Sequence, residues 1–426
     1  MSSLSERRVV IVGAGLAGLA CARVLRASGV EVALLEASDG VGGRVRTDNV
    51  DGFLLDRGFQ VLLRAYPEVH RQVDVAALDL RAFDPGALIR HETGFARVAD
   101  PFRSPRHLPL TLAAAVQGHG VTVADLFRLA LLRRSLRRVR PVDLLRRPDR
   151  STIDALTARG FSTTSIESFF GPLVGGIQLD PSLSTSARMF EVIMRMLLDD
   201  SAGVPATGMG ALPIALAAPV RDAIHLNTAV TAVANTRVNT AAGTEDGDAV
   251  VVATDGPTAA RLLDIPEPGS RPASAVHFSA PRPPSTTKTL ILDHRGPARN
   301  VAIMSNVAPA YAAEGKSLIT AAVPGIGPES NLDQHVLAQL ATWWGPEVLT
   351  WETLRVDHIP HGQPQQSPPL HPRRTIRHAP GVYVCGDHRD TGSIQGALFS
   401  GRRCAEAVLH DFGMSAATGT VRPGDN

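Results

Sequence analysis

Short apolar runs on either side of a helical stretch mark the first forty residues of the chain. Arg8–Val12 reads RVVIV, a β-branched run of the kind found in buried parallel strands. A helical stretch follows over Leu19–Ser28 and ends at Gly29, and a second apolar run covers Val30–Leu35. The pattern therefore predicts a strand–helix–strand unit with two buried parallel strands.

Strand-like runs return twice further along the chain. Alternating polar and apolar residues at 225–233 predict a hairpin that leads into an apolar strand at 248–254. Near the end of the chain, residues 381–387 predict a strand that runs into a loop, and 393–409 have the periodicity of a helix. These pieces are separated by long segments of different character, which indicates a domain built from distant parts of the chain.

The two separating segments differ from each other. Residues 78–200 have a largely helical pattern, whereas residues 265–370 mix strand-like runs with proline-rich connections. We therefore expect a second domain that is inserted twice between the pieces of the first.

The composition is that of a folded globular protein. The chain has 426 residues, of which 44% are hydrophobic and 20% are charged. Wholesale disorder is therefore excluded, and the length makes two domains the expectation. The 43 basic and 41 acidic residues give a net charge of +2, so the charge balance gives no reason to expect a nucleic-acid partner.

Cys21, Cys385 and Cys404 are the cysteines of the chain, and no two of them form a CxxC pair. This arrangement argues against a disulfide scaffold or a cysteine-rich zinc site, and no histidine set has metal-ligand spacing. We therefore expect no metal and a reducing, cytoplasmic location. No apolar leader precedes the first strand, and no apolar run approaches the ~20 residues of a membrane-spanning helix.

A glycine-rich turn joins the first strand to the first helix. Gly13, Gly15 and Gly18 form GxGxxG, in which the glycines allow a tight turn, backbone approach to a pyrophosphate and close helix–strand packing, in that order. The helix N-terminus directs its unpaired N–H groups at the phosphates. Glu36 ends the second strand, where a carboxylate can accept hydrogen bonds from ribose hydroxyls. The predicted dinucleotide-binding residues of this unit are Gly13, Gly15, Leu16, Ala17, Gly18 and Glu36.

A second glycine-rich loop follows Glu36 directly. The sequence ASDGVGGRVRT contains Gly42, Gly43 and Arg44 and resembles the GGR-x-x-T signature of one FAD superfamily, which holds flavin amine oxidases, protoporphyrinogen oxidases and carotenoid (phytoene) desaturases. Paired glycines permit close backbone approach, and a guanidinium can hold phosphates through its planar fork. The resemblance implies FAD rather than NAD as the cofactor.

Further pieces of the chain carry the same resemblance: LLDRGFQVL at 54–62, GMGALPIALA at 208–217 and the closing segment at 382–408. The resemblance implies that the Val230 backbone contacts the adenine and that Asp387 reaches the ribityl–phosphate region. It also implies a helix that begins near Ser393 and points its N-terminus at the flavin pyrimidine edge, where negative charge develops on reduction. The cofactor-binding residues implied by these pieces are Gly58, Phe59, Gln60, Val230, Gly386, Asp387, Ser393, Ile394 and Gly396, the last of which would allow close backbone approach to the flavin.

The fold implied by the resemblance is α/β. It has a Rossmann-like FAD-binding domain of the GR2 type and a discontinuous α+β substrate domain. The FAD-binding pieces are expected at residues 1–77, 205–264 and 371–412. The substrate-domain pieces are expected at 78–204, mainly helical, and 265–370, and a flexible tail at 413–426.

The branch of the superfamily is indicated by the last helix. Its S-x-Q-G-A-x-x-S-G spacing resembles plant and cyanobacterial carotenoid desaturases most, and protoporphyrinogen oxidases share much of it. Monoamine and polyamine oxidases place an aromatic residue two residues before this Gly–Ala pair, whereas Gly392, Ser393 and Ile394 are not aromatic. An aromatic amine cage is therefore disfavoured. Cys385 does not match the cysteine of covalent flavin attachment, so noncovalent FAD is expected.

Lys288, within STTKTLILD, is the predicted catalytic residue. In many members of the superfamily a strand lysine at this position holds a water against flavin N5 and assists the reaction with oxygen. A solvated lysine on an edge strand would have the same local sequence, and both interpretations stay open.

An arginine-rich block covers residues 126–150, with nine arginines between Arg128 and Arg150 interleaved with leucines. One interpretation is a basic amphipathic helix that makes peripheral contact with an anionic membrane, suited to lipid-soluble substrates. The other, which we favour, is an exposed helical face of the substrate domain that Pro141 and Pro148 interrupt.

These features predict an FAD-dependent oxidoreductase that transfers a hydride from an apolar or partly apolar small molecule to flavin N5. The reaction would dehydrogenate or desaturate a C–C or C–N bond, with oxygen or a quinone reoxidising the flavin. Two alternatives stay open. One is a flavin amine oxidase that releases hydrogen peroxide, with Phe59, Phe170 and Tyr311 as candidate aromatic residues beside the flavin. The other is a non-catalytic lipid- or isoprenoid-binding module on the same fold.

Overall fold

The computed structural model describes residues 7–325 and 330–416, and two large sheets organise this part of the chain. Residues 417–426, the outer part of the predicted tail, lie outside the described residues. The strands, in chain order, are β1 Arg8–Val12, β2 Glu31–Leu35, β3 Thr47–Val50, β4 Phe53–Asp56, β5 Leu62–Leu63, β6 Leu80–Ala82, β7 Ala87–His91, β8 Gly94–Val98, β9 Ala202–Pro205, β10 Ile224–His225, β11 Val230–Ala234, β12 Arg237–Thr240, β13 Gly243–Asp246, β14 Ala249–Val252, β15 Ser270–Ala280, β16 Leu290–Leu292, β17 Asn300–Ile303, β18 Ser317–Pro324, β19 Glu352–Pro364, β20 Arg377–Ala379 and β21 Val382–Val384.

Helices cover the faces and edges of these sheets. The α-helices are α1 Leu16–Ala27, α2 Pro67–Gln72, α3 Leu108–Val116, α4 Val123–Arg137, α5 Pro141–Leu144, α6 Thr152–Ala158, α7 Thr163–Ser165, α8 Gly171–Ile177, α9 Ala187–Asp199, α10 Ala211–Ala217, α11 Gly256–Leu263, α12 Met304–Val307, α13 Leu332–Trp344 and α14 Ile394–Asp411.

The six-stranded sheet gathers three distant parts of the chain. Its order is β10-β2-β1-β14-β21-β20, and it is parallel except for the β20–β21 pair. All four residues of β14 are buried, as are four of five in both β1 and β2. Both faces of the sheet are covered, one by helices that include α1 and α14 and the other by α11 and the strands β11 and β12. The predicted α/β fold is confirmed, including the strand–helix–strand unit at the N-terminus.

The seven-stranded sheet belongs to the inserted segments. Its order is β19-β15-β18-β17-β16-β7-β8, and only the β7–β16 pair is parallel. Strands β7 and β8 lie in the segment that the sequence pattern predicts as largely helical, so that prediction is wrong before about residue 100. The burial pattern of β7 gives the reason, because the strand has five residues only and its alternation is interrupted where the adjacent Ile89 and Arg90 are both buried. From α3 onward the segment is helical as predicted.

Sheet membership follows the predicted division of the chain. Strands from 1–77, 205–264 and 371–412 form the six-stranded sheet, and strands from 78–204 and 265–370 form the seven-stranded one. A small sheet of β5, β9 and β6 pairs residues from either side of the first boundary. The domain limits themselves stay a prediction. Residues 225–233, predicted as a hairpin, contribute β11 to a three-stranded meander with β12 and β13.

Helices α1 and α14 cross in direct backbone contact beside the six-stranded sheet. A β-carbon at Gly401 of α14 would lie 2.1 Å from the carbonyl oxygen of Ala17 in α1. This close approach brings the N-termini of both helices to the carboxyl edge of the parallel strands, where open α/β sheets bind ligands. Within the described residues, no helix is both long and apolar enough to cross a bilayer.

Candidate cofactor and substrate site

The turn between β1 and α1 has the geometry that its glycines predict. Gly13 has φ of +103°, and its N–H donates to the carbonyl of Leu35 at 2.7 Å. A β-carbon at Gly18 would lie 2.0 Å from the carbonyl oxygen of Gly13, so a side chain there would push α1 away from the turn. Gly18 therefore serves helix–strand packing and does not line the cavity described below.

Gly15 is the position where this turn leaves room for a ligand. A β-carbon at Gly15 would meet no heavy atom within 4 Å. Gly15 is also the N-cap of α1, which has no side-chain cap and no acidic residue in its first turn. Leu16 and Ala17 follow on the wall of the cavity. The exposed end of the helix is suited to an anion such as a pyrophosphate.

Glu36 is fixed at the end of β2 and is only 9% exposed. Its Oε2 accepts from the Ala14 N–H at 2.7 Å, and its Oε1 accepts from the N–H and the hydroxyl of Ser38 at 2.9 and 2.7 Å. The carboxylate lines the cavity beside the turn. Ser38, which orients it, escaped the sequence analysis, although its position two residues after the acid could have indicated it.

The second glycine loop lies against the first. Gly42 has φ of +113° and donates its N–H to the Ala14 carbonyl at 2.8 Å, and Gly43 has φ of +57°. The next residue, Arg44, forms an ion pair with Asp387 at 2.8 Å and donates to the Gly362 carbonyl at 2.8 Å. Two predicted site residues from opposite ends of the chain thus meet. The fork of Arg44 is engaged by protein groups, whereas the sequence suggested a phosphate clamp.

The ion pair with Asp387 favours the charged form of the Arg44 guanidinium. Burial alone would lower the pKa of its guanidinium, but the negative charges of Asp387 and Asp255 outweigh burial, and the pKa is raised above its ordinary value. The Arg44 guanidinium is therefore charged at neutral pH. It joins the glycine loop to the segment after β21, two pieces that the sequence separates by more than 300 residues.

The N-terminus of α14 also faces the cavity. Ser393 is the N-cap, and its Oγ accepts from the Gly396 N–H at 3.0 Å. Ser393 and Ile394 line the cavity, but Gly396 does not. A β-carbon at Gly396 would lie 1.9 Å from the Thr391 carbonyl oxygen, so the close approach that requires glycine is to the chain's own loop. The prediction that Gly396 approaches the flavin has no support in this geometry.

Gly58, Phe59 and Gln60 form another wall of the cavity. The Gln60 side chain donates to the carbonyls of Arg44 at 2.6 Å and of Arg57 at 2.9 Å, which fixes the loop. Gly58 has φ of +85°, and a β-carbon there would lie 2.4 Å from Ile359. Val230, Gly386 and Asp387 complete the wall on the sheet side.

Buried polar residues behind Gly58 were not identified from the sequence as part of the site. Asp357 accepts from the Gly58 N–H at 3.0 Å, from His277 Nε2 at 3.1 Å and from Arg355 at 3.1 Å. Burial alone would raise the pKa of Asp357, but these hydrogen bonds and charges outweigh it and hold the pKa below its ordinary value. The carboxylate therefore stays charged and positions the Gly58 turn.

Lys288 lies away from these residues. Its side chain is exposed, it does not line the cavity, and it precedes β16 in an extended connection. Leu290 reaches the cavity wall instead. A catalytic role for Lys288 stays a prediction that the geometry does not support.

One cavity of about 1100 Å³ unites the site. Sixteen of the nineteen predicted site residues line it, and Gly18, Gly396 and Lys288 do not. The volume exceeds the ~300–1000 Å³ of ordinary small-molecule sites, so a dinucleotide and a further ligand can be accommodated. Beyond the glycine loops the cavity continues among helices, where its walls are apolar, with Leu129, Leu132, Phe169, Met189, Ile193 and Met194 as representative residues.

Gln178 is a polar exception in this apolar chamber. It follows α8, lines the cavity and is only 2% exposed, and neither its amide oxygen nor its amide nitrogen has a hydrogen-bond partner among the described residues. A buried amide without partners is costly for the folded state, which makes Gln178 a candidate to bind a polar group of a ligand. No motif in the sequence marks this residue.

Aromatic residues contribute to the cavity only in part. Phe59 lines it, as do Tyr66 and Phe169, whereas Phe170 and Tyr311 are buried elsewhere. The Tyr311 hydroxyl donates to Asp56 at 2.8 Å. Cys21, Cys385 and Cys404 are buried and do not line the cavity.

The donor set fits FAD on several independent points. Gly15 leaves an open cradle at an uncapped helix N-terminus, and a buried carboxylate follows at the end of the next strand. A second helix N-terminus, that of α14, faces the same cavity from the other end. Among the described residues, no group of three or more His, Cys, Asp or Glu side chains could hold a metal ion.

The fold and this cavity together define a dinucleotide-binding protein whose cavity continues into an apolar chamber. The family model of flavin-containing amine oxidoreductases matches residues 16–409, nearly the whole chain, and the protein belongs to this family. It is an FAD-dependent oxidoreductase, as predicted.

Individual relatives match shorter stretches. Putrescine oxidase from Kocuria rosea is 49% identical over 74 residues, which are 17% of this chain and 16% of that protein. Protoporphyrinogen oxidase 2 from Arabidopsis thaliana is 38% identical over 74 residues, 17% of this chain and 15% of that protein. The chain thus matches about a sixth of the length of these relatives.

Solved structures match over almost the full length. An oxidoreductase from Methanosarcina mazei superposes with a TM-score of 0.70 at 18% identity, covering 95% of this chain and 100% of that one. At this identity the match supports the fold alone.

Proposed function

We propose that the protein dehydrogenates an apolar or partly apolar small molecule at a C–C or C–N bond. The observation that carries this proposal is the continuity of the cavity, which runs from the two glycine loops into a chamber lined by leucine, methionine and phenylalanine. A substrate in that chamber loses water on binding, and its apolar surface drives the transfer.

The chain's own residues would hold and orient the cofactor. Gly15 and the N-terminus of α1 would receive the pyrophosphate, Glu36 the ribose, and the backbone of Val230 the adenine. FAD, when bound there, would supply the two-electron chemistry of the dehydrogenation. The N-terminus of α14 would stabilise negative charge at the pyrimidine edge through its dipole.

The apolar walls of the chamber would exclude water, and the side-chain amide of Gln178 would form a hydrogen bond with a polar group of the substrate. Asp357 and His277 position the Gly58 turn from behind. We keep FAD as noncovalent in the proposal, because none of the cysteines of the described chain lines the cavity.

Amine oxidation with release of hydrogen peroxide is the second candidate. It is favoured by the stretch that is 49% identical to putrescine oxidase and by Phe59, which lines the cavity. The absence of an aromatic residue at Gly392, Ser393 and Ile394 argues for the apolar substrate. Desaturation of a carotenoid-like molecule stays a prediction from the last helix. A purely lipid-binding role is the weakest alternative in a member of an oxidoreductase family.

A spectrum of the purified, FAD-loaded protein tests the proposal. An amine panel, a porphyrinogen and a carotenoid are added in turn without oxygen, and loss of the oxidised flavin band identifies the substrate class. Bleaching by the porphyrinogen or the carotenoid supports the proposal. Bleaching by amines alone contradicts dehydrogenation of a C–C bond and assigns amine oxidation, the second candidate, and a flavin that none of them bleaches contradicts both.

Oxygen or a quinone, added after bleaching, identifies the electron acceptor by the rate at which the band returns. Peroxide formation accompanies the return only where oxygen is used. We also propose a reducing, cytoplasmic compartment, since the three cysteines are free and buried.

A further inference from the structure

Exposed apolar side chains are concentrated in one part of the described chain. Eight large ones lie between residues 102 and 131, and only Ile214, Leu226 and Leu349 lie elsewhere. Val116 is 76% exposed and Phe127 is 67% exposed. We call this region the 102–131 surface; its exposed large apolar residues are Phe102, Leu108, Leu110, Leu112, Val116, Val123, Phe127 and Leu131. Concentrations of this kind mark interaction sites.

Helical spacing aligns most of these residues. On α3, positions 108, 112 and 116 are four residues apart, and on α4 the same spacing holds for 123, 127 and 131. Residues at this spacing share one face of a helix. The opposite side of α4 holds Leu132 and Leu136, which are buried in the helical core. The exposed stripes are therefore additional to what the fold requires.

The 102–131 surface is continuous with the cavity. Phe102, Leu108 and Leu112 are exposed and also line the cavity, and Leu126 and Leu129 continue the wall inward. An apolar molecule could therefore keep apolar contact from this surface to the chamber, although Asp100, Arg103 and Arg133 also line the cavity in this part.

Charge identifies the partner. Arg106, Arg134, Arg137 and Arg138 are exposed beside the apolar stripes, and no ion pair among the described residues involves them. Arginines a few residues further on differ, since Arg140 and Arg146 pair with Asp143. Asp125 is the acidic residue of helices α3 and α4, and its side chain is fully buried. The surface therefore presents apolar side chains bordered by unopposed positive charge.

We propose that the 102–131 surface docks on a lipid bilayer with anionic headgroups. The stripes of α3 and α4 would enter the headgroup–acyl boundary while the four arginines contact lipid phosphates, an arrangement typical of interfacial amphipathic helices. The 102–131 surface lies nearer the N-terminus than the arginine-rich block at 126–150, which was one interpretation of a membrane contact from the sequence. Within that block, Leu132, Leu136 and Leu144 are buried, and several arginines have protein partners.

Delivery of substrate from the bilayer rests on the proposed function, but docking itself does not. The two are separated by measuring docking without substrate. FAD-loaded protein is mixed with phosphatidylcholine vesicles, with or without phosphatidylglycerol, and the vesicle-bound fraction is measured by flotation at low and high salt. Flavin reduction by dissolved substrate is measured separately.

Variants assign the contact. Phe127→Ser with Leu131→Ser removes apolar contact, and Arg134→Gln with Arg137→Gln and Arg138→Gln removes charge. Ile214→Ser with Leu349→Ser is the matched control, since these side chains are 60% and 58% exposed elsewhere. We expect the first variant to bind phosphatidylglycerol vesicles about tenfold more weakly and the second about a hundredfold more weakly, with the control unchanged. All of these positions are exposed, so retained thermal unfolding and flavin spectra confirm that the variants fold.

Wild-type protein that floats with neither vesicle overturns the proposal. The same holds if the control loses binding as strongly as the apolar variant. A self-association that the apolar variant abolishes, without vesicle binding, would make the surface an interface between copies of the chain and would also overturn it. Vesicle binding with no flavin reduction by any substrate would uphold docking and contradict the proposed function alone.

Discussion

At the scale of single residues, the site separates into positions that the sequence marks and positions that only burial reveals. Glu36 and Gly15 are marked by motif spacing, and the structure puts them on one wall. Gln178 has no motif and is conspicuous only because its buried amide lacks partners. Substitution of such isolated groups measures what each contributes to stability and activity.

Gln178→Leu should make the protein more stable and less active. Removing a buried amide without partners should raise the free energy of unfolding by about 1 kcal/mol. If the amide binds a polar group of the substrate, kcat/KM should fall about tenfold or more. Urea unfolding and flavin-reduction kinetics, with the substrate class found by the spectral screen, measure the two effects.

Gln334→Leu is the control for this variant, because Gln334 is exposed on α13. It should change neither quantity. A Gln178→Leu protein that loses stability but keeps its kcat/KM would mean that the amide has a structural role.

His388 should make stability depend on pH. It is buried beside Asp387, Arg389, Arg44 and Asp255, and burial lowers its pKa from 6.5 to about 4. The unfolded chain therefore takes up a proton at a pH where the folded protein does not, and stability falls as the pH drops from about 6.5 towards 4. Between pH 7 and about pH 5 the loss from this residue should be about 2 kcal/mol.

Urea unfolding at the two pH values checks this expectation. His388→Gln should lose less stability on acidification than the wild type by about that amount, and His410→Gln, at an exposed histidine, should behave like the wild type. Equal pH slopes in the wild type and His388→Gln would contradict a neutral, buried His388.

At the scale of elements, the contact between α1 and α14 sets the shape of the cofactor site. Both helices present their N-termini to the same cavity, and Gly401 lets their backbones approach where they cross. The site depends on the relative position of the two helices, because their dipoles would act on ligand groups at opposite ends of one cavity.

Gly401→Ala should therefore destabilise the protein and weaken cofactor binding. The added β-carbon would lie 2.1 Å from the Ala17 carbonyl oxygen, a backbone atom that can yield only if the helices separate. We expect a loss of about 1–3 kcal/mol in unfolding free energy and a raised dissociation constant for FAD. Thermal unfolding and FAD titration test both, with His410→Ala as the control on an exposed position of α14. Wild-type stability in Gly401→Ala would show that the crossing adapts.

At the scale of the whole molecule, three distant pieces of the chain close one sheet and one cavity. Arg44 and Asp387 join the first piece to the last across the cofactor wall. A ligand that touches several pieces stabilises their assembly, because it binds the folded state and not the unfolded chain.

Removal of FAD should therefore lower the unfolding temperature. With FAD at about a thousand times its dissociation constant, the stabilisation is about 4 kcal/mol. Glu36→Gln weakens charge-assisted acceptance from the ribose and should reduce this increment by about 1–2 kcal/mol. The apoprotein variant is measured as its own reference, because the substitution also removes an acceptor for the N–H of Ala14 or Ser38. Glu31→Gln, at the exposed start of the same strand, should keep the full increment. Thermal unfolding with and without FAD gives the values, and an equal increment in both variants would contradict the role of Glu36.

Local sequence by itself determined the cofactor half of this protein. A buried strand, a GxGxxG turn, a helix and a terminal acid follow each other within 36 residues, and each is imposed by short-range stereochemistry. Gly13 shows the reason, since its φ of +103° is a backbone conformation that glycine adopts without strain. The strand β21 and the helix α14 were also predictable from their local sequence.

The tertiary structure alone decided the substrate half. Whether Lys288 faces the cavity or the solvent depends on where β16 begins. The contact that requires glycine at position 396 depends on the loop that packs against it, and the burial of Gln178 depends on the chamber around it. Strand β7 pairs with β16, about 200 residues away, and β8 in turn pairs with β7 at the edge of the sheet. Such placements result from long-range packing, which leaves no periodic trace in the local sequence. The exposed stripes of α3 and α4 likewise became distinguishable from core only when burial was known.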